Sequence, residues 1–162
     1  MNAFDRALYQ AAPPNALDDT QSLPDARHLP IQRVGIKALR YPVQIVAAGG
    51  EVQGTVATFA MYGLPEQVKG THMSRFIQLL DETRAPLDAA GFLALEKTMR
   101  QRLEAETGYL EMSFPYFRRK AAPVSGVESL LDADVKLIAE TTATHGTRLT
   151  LAVVVLVAIL VG

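Results

Sequence analysis

Apolar and polar positions alternate along the chain in blocks whose period identifies each element. From Arg33 the period is two: Val34, Ile36 and Ala38 alternate with Arg33, Gly35 and Lys37, then Tyr41, Val43 and Ile45 continue on the other parity. That is a strand, and the change of parity predicts an irregularity at Pro42. Ala48-Gly49-Gly50 supplies turn residues, and Val52 to Tyr62, rich in Val, Thr, Phe and Tyr, returns as the second strand of a long hairpin. Beyond a loop over Leu64 to Gly70 the period becomes helical, with Met73, Phe76, Ile77 and Leu80 on one face and Thr71 or Ser74 available as a cap. Pro86 ends this helix and Asp88 opens a second, whose face is Phe92, Leu95, Met99 and Leu103, with Arg100, Arg102, Glu104 and Glu106 turned outward. Gly108 stops it, and Leu110, Met112 and Phe114 alternate in a third strand. Pro115, Pro123 and Gly126 frame a basic loop, a fourth strand covers Val127 to Glu140, Thr141 to Thr147 is a turn, and a fifth strand begins at Arg148. The order is ββααββ plus an extra C-terminal strand. It predicts an α+β fold in which two helices cover one face of an antiparallel sheet.

The ends depart from this pattern. Residues 11 to 30 hold four of the nine prolines and no apolar period, so residues 1–30 are expected to form an extended or disordered arm before a module over 31–148. Residues 149–162 form a charge-free apolar tail. As a helix the tail would reach only about 21 Å, against a hydrocarbon core of roughly 30 Å, and its β-branched content favours a strand. A buried or mispaired strand is therefore preferred to a membrane anchor or an unstructured sticky tail. Met1 to Gln10 has neither a basic start nor an apolar core of signal length, which makes the cytoplasm the expected location.

Composition narrows the chemistry. The 162 residues are 49% hydrophobic and 20% charged, as in a single globular domain, and 16 Lys+Arg against 17 Asp+Glu leave a formal charge of −1. No overall field draws such a chain onto nucleic acid or anionic lipid, and neither is expected as a partner. With no cysteine there is no disulfide, no thiolate nucleophile and no Cys-containing zinc site within the chain.

Two clusters carry candidate chemistry. Lys69-Gly70-Thr71-His72-Met73-Ser74-Arg75-Phe76 places cations, hydroxyls and an imidazole at the entrance to a helix, where N–H groups and the macrodipole attract anions. Lys69, His72, Ser74 and Arg75 are the candidates for holding phosphate; a capped helix with solvated charges is the plainer alternative. Phe114-Pro115-Tyr116-Phe117-Arg118-Arg119-Lys120 interleaves cations with aromatics, and Arg118, Arg119 and Lys120 are the weaker candidates for the same task. A solvated charge run is the alternative there. No Ser/His/Asp order, Walker loop or dinucleotide fingerprint is present.

These clusters, with Arg33-Val-Gly-Ile-Lys37, Arg102-Leu-Glu-Ala-Glu106, Phe114-Pro-Tyr-Phe117 and Ala122-Pro-Val-Ser-Gly126, resemble the N-terminal half of the type IB GTP cyclohydrolase I family, from about Ser22 to Val155. The resemblance implies the tunnelling fold (T-fold), in which two helices pack on an antiparallel sheet and subunits join sheets into barrels. It also implies GTP as substrate and the first step of folate synthesis, GTP and water giving 7,8-dihydroneopterin triphosphate and formate. The hard step, hydrolytic opening at C8 of guanine, suits a metal-bound water of lowered pKa. The family's divalent metal is Zn or Mn, and its ligands (Cys, then His and Glu) begin at a Cys-Pro-Cys segment following the strand that corresponds to Leu149 to Val155. Here the chain reads Leu156-Val-Ala-Ile-Leu-Val-Gly162 instead. The expectation is a product truncated before the metal site and inactive alone, or a split enzyme completed by a second polypeptide. A different class, a non-catalytic module that binds nucleotide phosphate or pairs with another T-fold chain, is the alternative. Open sheet edges and the apolar last strand lead us to expect a homo-oligomer or association with such a chain rather than a clean monomer.

Overall fold

A computed structural model describes residues 34–47, 49–65 and 73–155. Its elements are β1 (Val34–Val46), β2 (Val52–Pro65), α1 (Ser74–Glu82), α2 (Ala89–Leu103), β3 (Ala105–Ala121), β4 (Glu128–Thr142) and β5 (Gly146–Val155). The strands form one antiparallel sheet in the order β1-β2-β3-β4-β5, with each strand beside its successor in sequence. This is the α+β, T-fold type of module with the ββααβββ order that the periodicity predicts.

One face of the sheet is buried under the helices. On α2, Phe92, Leu95, Met99 and Leu103 are buried, and on the strands Ala57, Phe59, Met61, Leu110, Met112 and Ala139 face them. Full burial of a side chain such as Phe92 contributes about 1.5–3 kcal/mol. Asp88 caps α2 as expected, its carboxylate accepting from the Gly91 N–H at 2.7 Å. The alternate residues of β2, β3 and β4, among them Tyr62, Tyr109, Glu111 and Lys136, lie on the face away from the helices.

Local geometry corrects several boundaries. The parity change in β1 comes from a bulge between Ile36 and Leu39, with Ala38 at φ 60°, and not from Pro42, which pairs in register with Val56. Proline is harmless there because β1 is an edge strand. Gln44 O accepts from the Leu87 N–H at 2.8 Å and the Val46 N–H donates to Leu87 O at 3.0 Å, so the even positions of β1 turn their backbone outward. The N–H that Pro42 lacks would have pointed away from β2. Further along, the Tyr41 hydroxyl donates to Asp81 Oδ1 at 2.8 Å and ties α1 to this edge.

On α1 the buried residues are Phe76, Leu79 and Leu80, while Ile77 stays 45% exposed, because the inward face centres on the i, i+3, i+4 set that starts at Phe76. Met73 occupies the cap position of α1 and supplies no side-chain bond; Ser74 is already helical. The end of α2 is Glu104, in the left-handed region at φ 52°, and Gly108 lies inside β3. The expected basic loop is likewise strand: β3 runs through Pro115 to Ala121, paired with β4. The tail through Val155 is a strand, yet Leu151 and Val153 on the helix side and Val154 on the opposite face are more than half exposed. No helix among the described residues is long and apolar enough to cross a membrane. The 1–30 arm and the tail beyond Val155 lie outside the described residues.

Gly108 is required by close approach. A Cβ there would stand 2.5 Å from Arg100 Cγ and 2.7 Å from Glu96 Oε1. Gly108→Ala is expected to cost about 1–3 kcal/mol as buried Glu96 and part-buried Arg100 are displaced, read from the urea midpoint. Gly54→Ala, with nothing near its Cβ, should stay within about 0.5 kcal/mol.

Candidate functional site

The two predicted clusters are built from different parts of the fold. Lys69 and His72 lie outside the described residues. Ser74 is exposed in the first turn of α1, and the half-buried Arg75 reaches from that turn to the end of α2, where Nη1 donates to Arg102 O at 3.1 Å. A cation in the first turn opposes its own helix dipole, but here the guanidinium sits against the carbonyl end of the neighbouring helix, where the dipole favours it. Arg102 itself pairs with Glu82. Arg75 thus joins the start of α1 to the end of α2.

Arg118, Arg119 and Lys120 are exposed on β3, and a strand places successive side chains on opposite faces. Arg118 and Lys120 share the helix-side face; Arg119 points the other way. They also lie far from the start of α1. Arg75 bonds to Arg102, next to the start of β3, whereas Arg118 is thirteen residues along that strand from Ala105, about 43 Å at 3.3 Å per residue. Among the described residues, Arg75 and Arg118 therefore stand at opposite ends of β3.

Two other groups escape a reading by element type. Under α2, Glu96 is fully buried, receives Arg100 Nε on Oε1 at 2.7 Å, and keeps Oε2 without a partner among the described residues. Its signal was present in the sequence: Glu96 falls within the apolar stripe, four residues after Phe92, with Arg100 one turn on. On the uncovered face, Tyr62 and Tyr109 are cross-strand partners with ring centroids 5.9 Å apart. The Tyr109 hydroxyl donates to Glu111 Oε2 at 2.5 Å, and Lys136 Nζ meets Glu111 Oε1 at 3.1 Å. Burial, reinforced by this carboxylate, pushes the Tyr109 phenol up to about 12. The hydrogen bond from Tyr109, with Lys136, holds the Glu111 carboxyl below its usual range. Beside this group a concavity of about 840 Å³ opens between Arg40, Thr58, Ser113, Asp134 and Lys136.

A divalent metal needs converging ligands. No group of three or more His, Cys, Asp or Glu among the described residues converges to hold one, and the sequence has no cysteine. The described residues do not fit the metal that the resemblance implies.

Sheet order and helix placement together define a T-fold-type module. The family described as type I GTP cyclohydrolase folE2 matches residues 17–160, and the chain belongs to it. It is 54% identical over 145 residues to GTP cyclohydrolase FolE2 1 of Dechloromonas aromatica, covering 88% of this chain and 54% of that protein. To GTP cyclohydrolase FolE2 of Paraburkholderia xenovorans it is 53% identical over 135 residues, 83% of this chain and 50% of the relative. To GTP cyclohydrolase FolE2 2 of Cupriavidus metallidurans it is 56% identical over 129 residues, 79% and 48%. The chain spans about half the length of the curated relatives it matches.

Two measurements check these contacts. Arg75→Ala should lower the unfolding free energy by about 1.5–3 kcal/mol in urea, as expected for loss of a charged hydrogen bond. For Tyr109, the unfolded phenol ionises near 10 and the folded one near 12, so its stabilisation is complete below pH 10 and is lost as pH rises toward 12. Absorbance at 295 nm should show a tyrosinate step near pH 12 that is absent in Tyr109→Phe. That variant should also lose less stability across this window than the parent.

Proposed function

We propose that these 162 residues form the charge-holding half of a GTP cyclohydrolase that converts GTP and water to 7,8-dihydroneopterin triphosphate and formate, and that alone they do not open the guanine ring. The family match over residues 17–160, with about half of each relative covered, carries this reading. The substrate's triphosphate bears about four negative charges, and the α1 entrance offers cations beside a helix N-terminus. We assign the grip to Lys69, His72, Ser74 and Arg75. The bond from Arg75 to Arg102 O uses one of five guanidinium donors. The distance along β3 assigns Arg118 and Lys120 to a different contact. What arms the attacking water, a Zn²⁺ or Mn²⁺ centre at family level, is assigned to residues outside this set, because the described side chains do not fit it. A cytoplasmic setting, where GTP is made and used, completes the reading.

An assembly module that pairs with another T-fold chain, with or without nucleotide, is the second reading. The more than half-exposed Leu151, Val153 and Val154 on β5 favour it, since an apolar last strand presents a template for another chain.

The purified chain with GTP and added Zn²⁺ or Mn²⁺ is expected to release neither formate nor dihydroneopterin triphosphate; release of either overturns the claim of inactivity. Equilibrium dialysis should show GTP retained by the parent and lost at least tenfold in Lys69→Ala with Ser74→Ala. Unchanged retention removes the α1 entrance as the phosphate grip.

A further inference from the structure

The face of the sheet away from the helices carries one row of side chains unlike the rows beside it. Register sets Arg40 of β1 opposite Thr58 of β2, Thr58 opposite Ser113 of β3, Ser113 opposite Lys136 of β4 and Lys136 opposite Ala152 of β5. The chain neighbours Tyr41, Phe59, Met112 and Leu137 pack in or against the core, so the row points to the uncovered side. Crossing the strands it reads guanidinium, hydroxyl, hydroxyl, ammonium, methyl, and it lines the concavity of about 840 Å³.

The two hydroxyls belong to cross-strand neighbours, with Cβ atoms about 4.5–5.5 Å apart. Strands lie about 4.8 Å apart, so Arg40 and Lys136 each start about 7 Å from the middle of the hydroxyl pair, within the length of either side chain. Donors from four strands can therefore meet over one point. Among the described residues Arg40 has no ion pair, and Lys136 gives one of its three donors to Glu111 at 3.1 Å. The other charges facing this point are Glu111, one row away on one side, Asp134, one row away on the other, and Lys37, whose charge acts on Glu111. Three cations against two carboxylates leave a surplus of one, which suits a single phosphate group better than a triphosphate. The row through Asp134 also holds Pro115 and Val154, apolar surface about 6.6 Å from the hydroxyl row.

We propose that this concavity binds a sugar phosphate, its phosphate held by Arg40, Thr58, Ser113 and Lys136 and a sugar hydroxyl donating to Asp134. A bare oxyanion is repelled by Asp134. An ester that sets a hydroxyl one row from its phosphorus turns the same carboxylate into a contact, with Pro115 and Val154 against its carbon atoms. The volume falls within the roughly 300–1,000 Å³ of small-molecule sites. The α1 entrance takes no part, so failure here leaves the cyclohydrolase reading untouched.

Titration calorimetry on the 162-residue chain with ribose 5-phosphate, inorganic phosphate and ribose tests it. The ester should saturate in the millimolar range or tighter, phosphate should bind about tenfold more weakly and ribose not at all. Arg40→Gln removes an exposed side chain, so its urea midpoint should match the parent's while its affinity for the ester falls about tenfold. Asp134→Ala should tighten inorganic phosphate by removing a like charge and erase the preference for the ester. Equimolar GTP should leave the ester bound. No saturation by about 10 mM ester, an Arg40→Gln affinity equal to the parent's, a preference kept in Asp134→Ala, or displacement of the ester by GTP overturns the proposal.

Discussion

The burial of one stripe of α2 against the middle of the sheet is the interaction on which the rest of the molecule is arranged. Phe92, Leu95, Met99 and Leu103 pack in one core with Phe59, Met61, Leu110 and Met112, and this contact decides which face of the middle of the sheet is dry. It fixes α1 as well, since Phe76, Leu79 and Leu80 share that core while Arg75 closes the end of α2. The same contact admits Glu96 with Arg100, an exception tolerated because the chain leaves a bare Cα at Gly108 to receive them. A pair of this kind adds little net stability, but removing Arg100 is costly because it strands the fully buried Glu96 carboxylate.

Much of this frame was legible in the sequence where the signal is local. The α2 stripe follows a strict helical spacing and Asp88 is a capping residue before it, so both were readable without tertiary knowledge. The misplacements share one cause: a residue type was given its commonest meaning while a neighbour supplied the context. Pro42 suggested an irregularity, but it lies on an edge strand with its nitrogen turned outward, and the parity change belongs to Ala38. Gly108 suggested a helix stop, yet Glu104 takes the left-handed turn and the glycine serves the packing of Arg100. Pro115, Pro123 and Gly126 suggested a loop, but β4 pairs with β3 as far as Ala121.

The candidate chemistry was legible as residue types and not as places. Adjacent cations on paper are a patch; on a strand they are divided between two faces, and Arg118 and Arg119 part company on that ground alone. Likewise Arg75 was readable as a phosphate ligand, but its bond to Arg102 O depends on how two helices meet, which no single-element pattern contains. Tyr109, Glu111 and Lys136 come from two strands whose register joins them. The family resemblance carried further than these readings because its strings span several elements at once.

The sequential order of the sheet has a consequence for autonomy. Every described strand finds its hydrogen-bonding neighbour in the next strand of the same polypeptide, and only the step from β2 to β3 must wait for two helices to fold between them. Such a meander keeps its closure distances short, the condition under which small domains reach the native state quickly. The described span therefore closes one helix-covered sheet from consecutive segments alone, and its order of assembly can follow the order of synthesis.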